Sequence, residues 1–139
     1  MKSQQRIIQF FLFVLLLGPL TLPAENTKIT NIDGALSIKT FMDIMINEPE
    51  RIQLVDVRDE EQYKSGSISG AINVPINKLE KSIDTLPSKK PIVFYCHTAK
   101  RASEAYDMVR LFKPRLEVYY LRATVDISRD GTYQLTPKE

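Results

Sequence analysis

Residues 91–113 read PIVFYCHTAKRASEAYDMVRLFK. Residues 91–95 form a near-continuous apolar run, the pattern of a strand covered on both faces. From Arg101 onward, Ala102, Ala105, Tyr106, Val109 and Phe112 recur along one helical face, which predicts an amphipathic helix over residues 101–113. It stops before Pro114, because a proline disfavours helical angles in the residue preceding it. Strand, short loop and helix therefore follow one another directly. At the junction sits Cys96, the only cysteine in the 139-residue chain.

The same unit recurs on either side. EVYYL (117–121) is the next strand, and QLVDV (53–57) is an earlier β-branched one. DEEQYKSG (59–66) predicts one helical turn ended by Gly66, and GSISGAINVP (66–75) a structured loop with two glycines and Pro75. Leu79 and Ile83 mark a short helix within residues 76–84, closed off near Pro87. Upstream, ALSIKTFMDIMIN (35–47) has helical spacing, with Ser37 as its cap and Pro49 limiting it. The tail from Thr124 shows no period. Strands alternating with helices predict an α/β fold, a small parallel sheet flanked by helices on both faces with right-handed crossovers.

The first residues, MKSQQRIIQFFLFVLLLGPLTLPA, have the layout of an export signal: Lys2 and Arg6, an apolar segment over residues 7–17, then Gly18 and Pro19. That segment falls short of the roughly 20 apolar residues that span a bilayer. The expectation is a signal peptide over residues 1–24, a flexible lead-in over 25–33 and one domain over 34–139, periplasmic or secreted. An uncleaved anchor facing the periplasm is the alternative; after cleavage no stable membrane insertion is expected. Residues 1–24 hold two of the 19 basic residues and no acid, so 17 basic residues then face 17 acidic ones. Without a basic surplus to displace counterions, nucleic acid is not the expected partner. One cysteine and one histidine exclude an internal disulfide or a C-x-x-C pair and make a zinc centre an unexpected one; no metal or cofactor is expected.

In an open parallel sheet, ligands gather at the carboxyl ends of the strands. Cys96 follows such an end, and His97, Thr98, Ala99 and Lys100 are too few to wander before the helix begins. A tight wrap turns backbone N–H groups towards the sulfur, and the helix N-terminus adds its own unpaired N–H groups and positive dipole end. With Lys100 and Arg101 nearby, these groups favour a thiolate, which makes Cys96 the candidate nucleophile. The bland reading is a small buried hydrophobe, the commonest fate of a free cysteine.

Several separated pieces, in order, resemble the rhodanese family. LVDVRDEEQYKSGSISGAINVP (54–75) is similar to its first hallmark, through Asp56, Arg58, Glu61, Tyr63, Gly66, Ile68, Gly70, Ala71, Asn73 and Pro75. PIVFYCHTAKRASEA is similar to the second, a buried strand, an active cysteine and a loop closing on arginine, and VYYL to the strand after it. The resemblance implies a sulfurtransferase: a donor such as thiosulfate leaves its outer sulfur on Cys96 as a persulfide, and cyanide or a thiol removes it. It also implies a periplasmic setting of the kind small signal-bearing members occupy. His97, Thr98, Ala99, Lys100, Arg101 and Arg58 would then contact the anionic donor, with Asp56 bracing the loop. For Asp56 and Arg58 the alternative is a strand-end salt bridge. The protein is expected to act as a monomer. The chain departs from the family where Ser67, Ala99 and Ala102 stand in place of His, Gly and Ser, and where no Gly-Gly pair or Trp follows Tyr120. A left-handed angle at position 99 would cost Ala about 1–2 kcal/mol.

Two rivals remain at this stage. Cysteine phosphatases and related arsenate reductases use C-x5-R, a wider cradle for a tetrahedral oxyanion; residues 96–101 form C-x4-R. The other rival is a non-catalytic rhodanese-like binding module.

Overall fold

The computed structural model describes Ile29 and residues 33–138. The expected signal over 1–24 lies outside them, as does the lead-in apart from Ile29 and Asp33. Among the described residues no helix is long and apolar enough to cross a membrane.

In chain order the elements are β1 (Ala35–Leu36), α1 (Ile38–Asn47), β2 (Gln53–Asp56), α2 (Glu60–Ser65), β3 (Ile72–Asn73), α3 (Ile76–Ser82), β4 (Ile92–Tyr95), α4 (Lys100–Phe112), β5 (Val118–Leu121), β6 (Ala123–Ile127) and β7 (Tyr133–Pro137). Short 3-10 turns, Pro49–Arg51 and Ile83–Thr85, follow α1 and α3. The first five strands form one parallel sheet in the order β1-β5-β4-β2-β3, and β6 and β7 pair as a separate antiparallel hairpin.

Burial explains the layers. All four residues of β4 are buried, as their unbroken apolar run requires of a central strand. Val55, Ile92, Phe94 and Val118 share a cluster with Leu79 of α3 and Ala102, Ala105 and Val109 of α4. The alternate positions Leu54, Val93 and Leu121 are equally inaccessible on the other face, towards which α1 contributes buried Phe41 and Ile44. Phe41 meets Tyr133 of the hairpin edge-on, with ring centroids 6.3 Å apart.

Ser37 caps the helix as expected, its hydroxyl accepting from the Thr40 N–H at 3.1 Å, and the helix runs from Ile38. Three local readings change. Ala35 and Leu36, ahead of that cap, pair with Tyr120 and Leu121 as an edge strand, the Tyr120 N–H donating to the Gly34 carbonyl at 2.9 Å and the Arg122 N–H to the Leu36 carbonyl at 3.0 Å. Ile72 and Asn73, read as loop, pair with Val55 and Asp56. The unplaced tail is the β6–β7 hairpin.

Candidate active site

Because the five strands are parallel, their carboxyl ends share one edge of the sheet, and the residues just beyond β2 and β4 meet there. Asp56 and Arg58 come from the first, Cys96 from the second. Cys96 is only 1% exposed, and its side chain joins the apolar cluster of Val57, Leu79 and Ala102. The thiol thus sits at the floor of the loop, not on its rim.

The loop above it is strained. Ala99 is the only non-glycine residue with a positive φ among those described, at φ 66° and ψ −16°. For alanine that angle costs about 1–2 kcal/mol. Ala99 is also the N-cap of α4 and has no side-chain oxygen to satisfy the first N–H groups, a lack costing about 1 kcal/mol against Ser or Asp. Two local penalties at one turn, beside the lone thiol, mark a conformation held by its surroundings. The holding groups come from the hairpin. The Val125 N–H donates to the His97 carbonyl at 2.8 Å, and Lys138 Nζ donates to the Thr98 carbonyl at 2.9 Å. His97 Nδ1 lies 3.1 Å from the Val125 carbonyl and 3.5 Å from an Asp126 oxygen. His97, Thr98 and Lys100 are exposed, whereas Ala99 is buried.

Arg58 goes elsewhere. Its Nε lies 3.0 Å from both carboxylate oxygens of Asp56, and its Nη2 donates to Oδ2 at 2.6 Å and to the Gly66 carbonyl at 2.7 Å. The Arg58 backbone N–H completes the set at 2.9 Å from Oδ1. Asp56 is wholly inaccessible and Arg58 is 7% exposed. Burial alone would lower the Arg58 pKa, but hydrogen bonding and charge from Asp56 overcome it and raise the value. The guanidinium carbon lies 5.9 Å from the Tyr95 ring centre, and the Tyr95 hydroxyl accepts from the Ile68 N–H at 3.2 Å. Burial first, and then the Asp56 charge, push the Tyr95 phenol well above its ordinary value. Arg58 is therefore the strand-end partner of Asp56, the alternative that sequence offered to an anion contact.

The other motif residues close the same scaffold. Asn73 Nδ2 donates to the carbonyls of Asp56 and Arg58, both at 2.9 Å, and the Tyr63 hydroxyl donates to the Ala71 carbonyl at 2.8 Å. Arg101, at the start of α4, reaches across to Asp59 Oδ2 at 3.3 Å and Gln62 Oε1 at 3.2 Å, tying α4 to α2. Among the described residues no three His, Cys, Asp or Glu side chains gather as metal ligands.

The Rhodanese-like domain family matches this chain over residues 37–124, from the Ser37 cap through the start of β6. The chain belongs to that family. Relatives include the human thiosulfate:glutathione sulfurtransferase, 32% identical over 74 residues that cover 43% of this chain and 64% of the relative. The thiosulfate sulfurtransferase PspE of Escherichia coli is 33% identical over 57 residues, 40% of this chain and 55% of the relative. The chain spans less than two thirds of the length of the curated relatives it matches. Among solved structures, a human single-domain sulfurtransferase superposes with a TM-score of 0.54 at 22% identity, over 63% of this chain and 88% of that one, a likeness of fold.

Within the rhodanese-like frame, the hairpin is what residue patterns did not reveal. The family match ends at residue 124, and Val125, Asp126 and Lys138, which contact the cysteine loop, lie beyond it. A usable signal existed only in Gly66. A Cβ there would overlap the Ser128 carbonyl oxygen, so the hairpin presses on this motif glycine as well.

Proposed function

We propose that the protein is a sulfurtransferase that carries sulfane sulfur as a persulfide on Cys96. The Cys96 thiolate attacks the outer sulfur of thiosulfate or a similar donor. One S–S bond forms as the donor's S–S bond breaks, and sulfite leaves with the bonding pair. A thiolate or cyanide then attacks the terminal sulfur, takes it as a persulfide or thiocyanate, and returns Cys96 as thiolate. The covalent intermediate divides one transfer into two displacements. His97, Thr98, Ala99, Lys100 and Arg101 form the loop that receives the donor, with exposed Lys100 as the cation that meets its charge. Asp56 and Arg58, paired with each other, brace the neighbouring strand end and the Gly66 turn. No metal or cofactor enters these steps.

The observation that carries this reading is the strained turn at Ala99, three residues after Cys96 and directly before an α4 N-terminus without a side-chain cap. A turn of that kind leaves N–H groups available for the anionic terminal sulfur of a persulfide. The names of the sulfurtransferase relatives point the same way. The C-x4-R loop suits a sulfur atom better than a phosphoryl group. We place the mature protein in the periplasm or outside the cell, on the strength of the leader.

The thiol's 1% exposure favours one rival, a binding module in which Cys96 is only a core residue. Mass spectrometry separates them. Incubation with thiosulfate should add about 32 mass units, one sulfur, to the intact chain, and Cys96→Ser should abolish the gain. An unchanged mass after incubation, with cyanide-dependent thiocyanate formation also absent, would leave the binding module standing.

A further inference from the structure

The sheet edge opposite Cys96 carries a surface that sulfur transfer does not use. At the end of α4, Leu111 and Phe112 are 76% and 54% exposed. Phe112 also lines an open groove of about 530 Å³ with Ile83, Leu86, Pro114 and Leu116. A second hollow of about 400 Å³ shares Leu86 and Ser88 with it and is bordered by Lys89 and Lys90. Neighbouring apolar side chains beside an apolar groove form a patch, not a scattered surface residue.

Cations surround that patch. Arg110, Lys113 and Arg115 alternate with its apolar residues, and Lys89 and Lys90 stand across the groove. Two acids belong to the same loops. Asp84 pairs with Lys113, and Glu117 accepts from the Tyr119 hydroxyl at 2.8 Å. Arg110 donates to the uncharged Pro114 carbonyl at 3.0 Å, so its charge is not cancelled there. A positive surplus rings an apolar centre.

We propose that this patch docks the domain on an anionic lipid surface, with Leu111 and Phe112 entering the headgroup–acyl boundary and the cations meeting lipid phosphates. Apolar residues flanked by Lys and Arg are the chemistry that binds such interfaces. An acidic protein would answer the cations but not the two projecting apolar side chains. The topology agrees. All five strands run the same way, so the patch and Cys96 lie at opposite ends of the strands. Docking there leaves the exposed loop residues that follow Cys96, at the other edge, facing water and soluble substrates. The proposal stands apart from the sulfur chemistry and survives if that fails.

The chain contains no tryptophan, so one can be placed as a reporter. Phe112→Trp and Leu111→Trp probe the patch, and Ile72→Trp, on the exposed side strand β3, is the control, each in the full chain. Circular dichroism melts establish that each variant folds. Vesicles of phosphatidylglycerol or phosphatidylcholine carry brominated acyl chains, which quench only tryptophan at their depth. Quenching at positions 112 and 111 by the anionic vesicles, with position 72 spared and phosphatidylcholine weak, is the expected result. Lys89→Ala and Lys90→Ala should each shift the lipid titration of the position-112 signal by roughly fivefold. The leader alone could hold the chain on any vesicle, but it would act without regard to lipid charge or to Lys89 and Lys90, and quenching at 112 that ignores both would overturn the proposal. So would a tryptophan at 112 that ignores anionic vesicles yet shifts its emission with polyglutamate, which would assign the surface to an acidic protein.

Discussion

Replacing Arg58 by methionine removes three of the four hydrogen bonds that the Asp56 carboxylate accepts from this residue, leaving only the backbone N–H to Oδ1. Asp56 has no exposure to water. A carboxylate left without its partner in such a place costs about 3–5 kcal/mol. The Gly66 carbonyl also loses a donor. Against a total stability of about 5–15 kcal/mol for a domain of this kind, that is a large share. Urea unfolding followed by far-UV circular dichroism should show the midpoint falling with the slope unchanged, as expected of a loss of native stability alone. The double variant Asp56→Asn/Arg58→Met should recover at least half of the loss, because the stranded charge has gone. A single variant within about 1 kcal/mol of the parent would refute the reasoning. If that variant also needed far more thiosulfate for half-maximal transfer, Arg58 would be a donor contact instead of a partner for Asp56.

Ala99→Gly relieves about 1–2 kcal/mol of left-handed strain, but it gives up about 0.5–1 kcal/mol of chain entropy and about 0.8 kcal/mol of methyl burial. Thermal melts should therefore find it within about 1 kcal/mol of the parent, whereas Ala99→Val, branched at Cβ, should lose about 2 kcal/mol or more. Gly66→Ala drives a methyl group into the Ser128 carbonyl and should cost about 1–3 kcal/mol, read from the same melts. Asp130 accepts from the Thr132 N–H at 3.0 Å and hydroxyl at 2.7 Å. Those bonds hold its pKa below the ordinary 3.8. Its contribution to the hairpin turn is thus complete above that pH and disappears as the pH falls through the lower folded value. Amide exchange should show the β6–β7 turn loosening relative to α4 on such acidification, and Asp130→Ala should be equally loose at every pH.

Much of the architecture was legible because it rests on short-range pattern. The short apolar run of β4, ahead of a loop and a helix, reads as a strand covered on both faces. The spacing of Ala102, Ala105 and Val109 reads as a helix with one buried face, although Phe112, expected on that face, is exposed. Their succession places Cys96 at a strand's carboxyl end. Leu36 misled for the same reason. Its spacing fits the helix that follows, and only its pairing with Leu121, far along the chain, makes it a strand residue. The hairpin hid although Ala123, Val125 and Ile127 alternate with polar residues, because each strand is only five residues long and β7 buries none of its own.

The sequence by itself determined the parallel α/β fold and the site of the lone thiol, since both follow from which neighbouring residues are apolar. Tertiary structure decided what surrounds that thiol. Arg58 turns to Asp56 because a buried carboxylate demands a cation. Ala99 keeps an unfavourable angle because the loop's flanking carbonyls, those of His97 and Thr98, are gripped by Val125 and Lys138 from the far end of the chain. Such long-range contacts leave no local periodicity to read, so only the folded chain reveals them.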